Sequence, residues 1–207
     1  MGSGDRLESR CRFCTSLISR LCRGLGMAAK TSTFYLTERL SLAAGANSTD
    51  SDTIDLGAYV DVADRQGILV HSVDFVFQGR DTTNGAVTSY AQTMTADGTT
   101  MVQLSDLNRG ALVFADDRAL VASGELLYDA NGLYSHASDL YPDNFGPSSA
   151  SGGRIVINDQ MYVRATCFGT IVANTAQEVT VRIKCSVITL SQKDFMAIAL
   201  QSTAADN

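Results

Sequence analysis

Between Val179 and Val187 every second residue is apolar: Val179, Val181, Ile183, Cys185 and Val187 alternate with Thr180, Arg182, Lys184 and Ser186. A period of two does not suit a helix, whose faces repeat every 3.6 residues, and it sends one set of side chains to a core and the other to water. The alternation recurs near the start, where Phe34, Leu36, Leu40 and Leu42 are interleaved with Tyr35, Thr37, Arg39 and Ser41, with Glu38 interrupting the apolar face. Ile54, Leu56, Ala58, Val60 and Val62 alternate with Asp55, Gly57, Tyr59, Asp61 and Ala63, which predicts a half-buried strand over 54–62. Residues 68–78 place Leu69, Val73, Phe75 and Phe77 on one face and Ile68, Val70 and Val76 on the other, so this strand is predicted to be covered on both sides.

Turn chemistry separates these runs. Asn84-Gly85, Asp97-Gly98 and Asn131-Gly132 accept the positive φ of tight turns, and Tyr141-Pro142 opens a Ser-, Gly- and Pro-rich stretch to Gly153 that predicts a long surface loop. Further short strands are predicted over 87–94, 100–104, 110–115, 119–128, 154–158, 161–173 and 178–190, while 105–109 and 116–121 leave room for a helical turn. Ser191 followed by Asp194, with Phe195, Met196, Ala199 and Leu200 behind, is a variant capping box and predicts a C-terminal helix over 191–201. Short strands punctuated by turns, without alternating βαβ units, indicate an all-β antiparallel sandwich or barrel. The length of 207 residues fits one domain with a tail.

Charge divides the chain in two. Residues 1–30 contain Arg6, Arg10, Arg12, Arg20, Arg23 and Lys30 against Asp5 and Glu8, leaving ten of the 16 basic and twenty of the 22 acidic side chains for residues 31–207. A cationic arm thus precedes an anionic body. Within the arm Leu7, Cys11, Cys14, Ile18, Leu21 and Leu25 recur at helical spacing, and Gly24 and Gly26 supply a stop. The stripe describes a cationic amphipathic helix for nucleic acid, an anionic membrane surface or a neighbouring subunit; the alternative is a solvated tail. Met27-Ala28-Ala29-Lys30 also reads as an alternative start, which would remove the arm. Arg20 and Arg23 break the apolar run that a secretory signal needs, and no run of about 18 apolar residues suits a membrane helix.

Chemistry finds little support. Two histidines, His71 and His136, cannot build a histidine-rich metal site; His71 reads as a satisfied core or edge residue and His136 as exposed. The five cysteines do not make a closed disulfide framework. Cys11 and Cys14 form a C-x-x-C pair with only Cys22 nearby, short of a zinc site. Cys167 and Cys185, on consecutive predicted strands, would face one another across a turn near Ala176, either bridged or as two core thiols. Asp50, Asp52 and Asp55 cluster in a predicted turn, Asp61 and Asp64 end a predicted strand, and Asp116 and Asp117 are adjacent in another turn; they read as solvated turn acids or, between subunits, as oxygen ligands for calcium. Asn47-Ser48-Thr49 is a glycosylation sequon, relevant only to a secreted chain. No P-loop, G-x-S-x-G elbow or G-x-G-x-x-G is present, so neither a catalytic residue nor a cofactor is expected.

A basic arm from Arg6 to Lys30, a strand-built body over 31–190 and a long polar loop before the last strands make the chain resemble the single jelly-roll capsid proteins of small icosahedral viruses. The resemblance is one of architecture. It implies a two-sheet Greek-key barrel that tiles the shell of a virion by self-association, with the arm facing inward against genome, inner membrane or neighbouring subunits. The nucleic-acid contacts would then be Arg6, Arg10, Arg12, Arg20, Arg23 and Lys30, to phosphates and without sequence readout. A different class fits the same body: a non-catalytic sandwich binding module, lectin-like or decorating a particle, that uses the 129–153 loops but leaves the arm unexplained.

Overall fold

The computed structural model describes residues 28–94, 96–129, 131–132, 134–138 and 152–204. The strands are β1 (Ala28–Ala29), β2 (Phe34–Leu42), β3 (Gly45–Ala46), β4 (Thr49–Asp55), β5 (Gln66–Asp81), β6 (Val87–Thr88) and β7 (Gly98–Ser105). After them come β8 (Leu120–Tyr128), β9 (Tyr134–Ser138), β10 (Arg154–Val156), β11 (Gln160–Phe168), β12 (Thr170–Ile171), β13 (Thr175–Thr189) and one helix, α1 (Gln192–Ala204). The first sheet runs β2–β13–β5–β10, with β1 also on β13 and β6 on β5; the second runs β4–β11–β7–β8–β9.

Pairing identifies the topology. β2 pairs with β13, β4 with β11, β5 with β10 and β7 with β8, all antiparallel, so the chain is a nested hairpin whose first strand lies beside its last. Successive pairs of that hairpin lie alternately in the two sheets. Such an eight-strand double Greek key is a jelly roll. The interior is the set of residues that the period of two sends inward: Leu40 and Leu42, Val102 and Leu104, Val163 and Ala165, Val179, Val181 and Ile183 are all at most 1% exposed. Burying each Val, Leu or Ile of this set contributes about 1.5–3 kcal/mol, which makes the facing sheets the main stabilising element.

Three expectations fail for physical reasons. The strand predicted over 54–62 ends at Asp55. Asp55 Oδ1 accepts the Gly57 N–H at 2.8 Å, Asp61 Oδ1 accepts that of Ala63 at 2.8 Å, and the Tyr59 and Val60 N–H groups turn back to the Leu56 carbonyl. Local aspartate–backbone bonds outcompete a sheet ladder here, while Leu56 is still fully buried. The two faces assigned to 68–78 are scrambled by a bulge: Lys184 opposes Ser72 and Cys185 opposes Val70, which leaves His71 as the extra residue. Ile68 and Val70 point inward before it, and Val73 and Phe75 after it, while Leu69 packs in a second cluster outside the main core. Residues 110–115 form no strand, and β9 follows the Asn131-Gly132 turn, ahead of the expected 141–153 loop.

Cys167 and Cys185 are not cross-strand partners. β11 and β13 belong to opposite sheets, joined through β12, and both thiols are free and buried in the sandwich core. The C-terminal helix forms as predicted, its start displaced by one residue: the Ser191 hydroxyl accepts the Asp194 N–H at 3.2 Å and donates to the Asp194 carboxylate at 2.6 Å. Phe195 and Ile198 pack it over Leu69, Ile155 and Ile188, on the outer face of the first sheet. Turns at Asn84-Gly85 and Asn131-Gly132 form with φ of 75° and 82° at their glycines, whereas Gly98 opens β7.

Candidate functional site: braced ends and a basic sheet face

Residues 106–119, which join β7 to β8, are held firmly against the sandwich. The Gln103 side chain clamps Val113 in both directions, Nε2 donating to its carbonyl at 2.7 Å and Oε1 accepting its N–H at 2.8 Å. Arg109 and Asp117 close the loop with an ion pair at 3.1 Å. At its root Arg154 of β10 reaches across from the first sheet, Nη2 bonding Asp106 Oδ2 at 2.8 Å and also the Arg118 carbonyl. This pair is deeply buried, with the Arg154 side chain 2% and that of Asp106 11% exposed. Burial raises the Asp106 carboxyl above its usual range, against the opposing pull of the Arg154 charge.

On this braced loop Phe114 stands 87% exposed, one residue from the clamp. Val62, 68% exposed, lies on the 56–65 loop at the same end of the sandwich, since β4 and β7 both finish there. The opposite end presents Val87, Phe168 and Tyr134, and α1 presents Met196 and Leu200 one turn apart. Leu127 shares a cross-strand row with Phe168 through Thr99, so among the described residues Tyr35 is the one exposed large apolar side chain on a strand face away from the ends. The sheets are polar outside; the ends are sticky.

The outer face of the first sheet has a different character. Register sets Tyr35, Lys184 and Ser72 in one row, Thr37, Arg182 and Asp74 in the next, Arg39, Thr180 and Val76 in a third, and Ser41, Glu178 and Gln78 in a fourth. The first two rows and His71 line an open depression of about 820 Å3. Tyr35 is 66% exposed there. Arg182 pairs with Asp74, both about half exposed, and Arg80 pairs with the buried Glu178, which also accepts the Ser41 hydroxyl at 3.0 Å. Arg39 keeps a 71% exposed side chain, its Nε 3.8 Å from Glu178. His71 Nε2 meets Ser186 Oγ at 2.9 Å, and burial, then the Lys184 charge, hold the imidazole below its ordinary pKa.

Of the residues the sequence nominates for nucleic acid, Arg6, Arg10, Arg12, Arg20 and Arg23 lie outside the described residues, as do Cys11, Cys14 and Cys22 and the loop over 139–151. Lys30 is exposed, and its N–H donates to the Val187 carbonyl at 2.9 Å, so it continues the β13 edge that β1 begins. The acidic groupings are redistributed. Asp50, Asp52 and Asp55 lie on β4 and not in a turn, and Asp50 Oδ2 accepts the Ser41 N–H at 2.8 Å, tying β2 to the second sheet. Asp61 and Asp64 sit in a turn and not at a strand end, and Asp117 is engaged by Arg109. Among the described residues no group of three His, Cys, Asp or Glu is placed to hold a metal ion, and no helix is long and apolar enough to cross a membrane. His136 is exposed, with its ring edge-on to Phe77 at 5.4 Å.

Neither a protein-family model nor a curated protein matches the chain. Its fold is similar to that of solved viral proteins. Merkel cell polyomavirus VP1, solved with 3'-sialyllactosamine, is 8% identical with a TM-score of 0.38 over 80% of this chain and 97% of that one. Desmodium yellow mottle tymovirus is 7% identical with a TM-score of 0.35 over 77% and 90%. The 60-mer BFDV capsid protein is 11% identical with a TM-score of 0.34 over 81% and 95%. The jelly-roll assignment itself stands on the nested strand order, and the likeness to capsid proteins is one of architecture.

Proposed function

We propose that the chain is a structural shell subunit of a virion, which associates with copies of itself through the two ends of the jelly roll and turns its cationic arm toward an enclosed polyanionic genome. The observation that carries this reading is the placement of exposed apolar side chains at both ends, with Phe114 held out on a clamped loop. Two unlike patches at opposite ends make a head-to-tail contact, which propagates from copy to copy and closes only when the geometry returns on itself. Holding the loop rigid before contact lowers the ordering cost of association. No catalytic role is assigned to any residue, and no small-molecule substrate or cofactor is implied.

The test is Phe114→Asp. Particles or large oligomers formed by the purified chain, seen by electron microscopy and sedimentation, should give way to small species, with the thermal unfolding of the subunit unchanged. Assembly by the variant at wild-type yield would overturn the reading, as would a wild-type chain that stays monomeric and binds glycans, which is the behaviour of a binding module. Deleting residues 2–26 should leave the sandwich folded and reduce co-purifying nucleic acid together with its salt dependence. Unchanged nucleic-acid content would leave membrane or subunit contact as the role of the arm.

A further inference from the structure

The body carries twice as many acids as bases, yet its bases are not spread evenly. Of the ten cationic side chains after residue 30, Arg39, Arg80, Arg182 and Lys184 lie on the outer face of β2, β13 and β5, with Asp74 and Glu178 as the acids among them. Lys30 borders the same face. A cationic surface on an anionic sandwich is the opposite of what its composition dictates, and such a patch is the electrostatic footprint of a polyanion. Beside Lys184 stands Tyr35, its direct cross-strand partner and 66% exposed. An aromatic ring left in water between cations serves stacking on a base while the cations take phosphates.

The chain path supplies a second argument. β1 pairs Ala28 and Ala29 with Thr189 and Ile188, on the edge of β13 that β2 also occupies. The segment with Arg6, Arg10, Arg12, Arg20 and Arg23 therefore joins the fold at the border of this face. Two cationic elements tethered side by side repel one another, and a polyanion between them removes the repulsion. An acidic surface of another copy would meet the charge but has no use for the ring.

We propose that the outer face of the β2–β13–β5 sheet binds single-stranded nucleic acid, with Tyr35 stacking on a base and Lys184 and Arg39 on phosphates, as a folded extension of the arm. The inference rests on the shell reading for the polymer that the face encounters. It goes beyond that reading in assigning contacts to the folded body.

The test measures fluorescence anisotropy of an oligothymidine of roughly 30 nucleotides with the full chain, between about 50 and 200 mM salt, alongside particle formation by electron microscopy. Arg39→Gln with Lys184→Gln should weaken binding and lower the salt slope by about 1.4, the contribution of two phosphates on a single strand. Tyr35→Ala should weaken binding roughly 5- to 150-fold with the slope unchanged, and Tyr35→Phe should restore it. All three should form particles as the wild type does. Wild-type affinity in the face variants, with binding lost when the five arm arginines are changed to glutamine, overturns the proposal and leaves the shell reading standing. Loss of particles at unchanged affinity also overturns it, since the face would then be a contact between copies. Failure of the wild-type chain to assemble speaks against the shell reading alone, because the affinity comparison among variants is read independently of it.

Discussion

Replacing Arg154 by Met and Asp106 by Leu together should leave the protein at least as stable as the wild type, although these residues form the most deeply buried ion pair among the described residues. The pair is poorly compensated. Arg154 Nε and Nη1 and Asp106 Oδ1 are buried with no hydrogen-bond partner among the described residues. The raised Asp106 pKa points the same way, since the cost of burying the carboxylate exceeds what the Arg154 charge returns. Exchanging such a pair for apolar side chains of similar volume gains about 1–4 kcal/mol in favourable cases. For a domain of this size each kcal/mol moves Tm by about 2–4 °C, so a rise of about 2–16 °C is expected. The single change Arg154→Met should instead destabilise at neutral pH, because it leaves the carboxylate buried without its cation. The sign with pH follows. A folded carboxyl pKa above the unfolded 3.8 means a penalty that is absent below 3.8 and grows as pH rises through the folded value, so the deficit of Arg154→Met shrinks on acidification. The doubly substituted chain has no such dependence. Urea denaturation of the purified protein, followed by circular dichroism across this pH range, measures both quantities. A double variant less stable than the wild type by more than about 1 kcal/mol would refute the reasoning, and would show that the pair is a net stabilising contact.

Gln103→Leu removes both bonds to Val113 and should cost about 1–3 kcal/mol, with limited proteolysis cutting within 106–119 before the sandwich unfolds. Ser191→Ala removes the helix cap and should cost about 1 kcal/mol, seen as faster hydrogen exchange confined to α1. Burial pushes the Cys185 thiol up to about 12 and raises that of Cys167, so neither should be alkylated in the folded protein near neutral pH, and both should react once it is unfolded; mass spectrometry of labelled peptides reads this directly.

The fold is legible wherever a strand keeps one parity from end to end. β2, β7 and β13 keep it, and the sequence pattern locates them to within a few residues. Legibility is lost where a single residue changes the count. His71 is one extra residue in β5, and it inverts which of Leu69 and Val70 faces the core; nothing local marks it, because the bulge depends on pairing with β13 over a hundred residues away. The 54–62 segment departs from expectation for a reason the sequence does contain: Asp55 and Asp61 each stand two residues before an N–H that they cap, and an aspartate in that position competes with the strand that the apolar pattern suggests. The expectation that Cys167 and Cys185 face each other assumes that consecutive strands pair. In a jelly roll consecutive members, the innermost β7–β8 hairpin apart, are dealt to different sheets, so that assumption fails for every connection that crosses the sandwich.

The surfaces are harder to read than the core, because alternation says only that a residue faces water. Arg39, Arg182 and Lys184 each look like ordinary wet-face residues of two separate strands, and the anionic total of the body argues against any cationic site. Net charge is a sum over the whole surface, whereas a binding partner samples a few adjacent rows. Antiparallel pairing brings side chains 140 residues apart in sequence to about 5 Å, so register, and not composition, decides where like charges gather. The same holds for Tyr35: its hydropathy suits a core, its parity sends it outward, and only the Tyr35–Lys184 pairing makes an exposed ring into half of a recognition element. The charge division seen along the chain, basic arm and acidic body, thus reappears within the body itself, with the basic part at the point where the arm joins it.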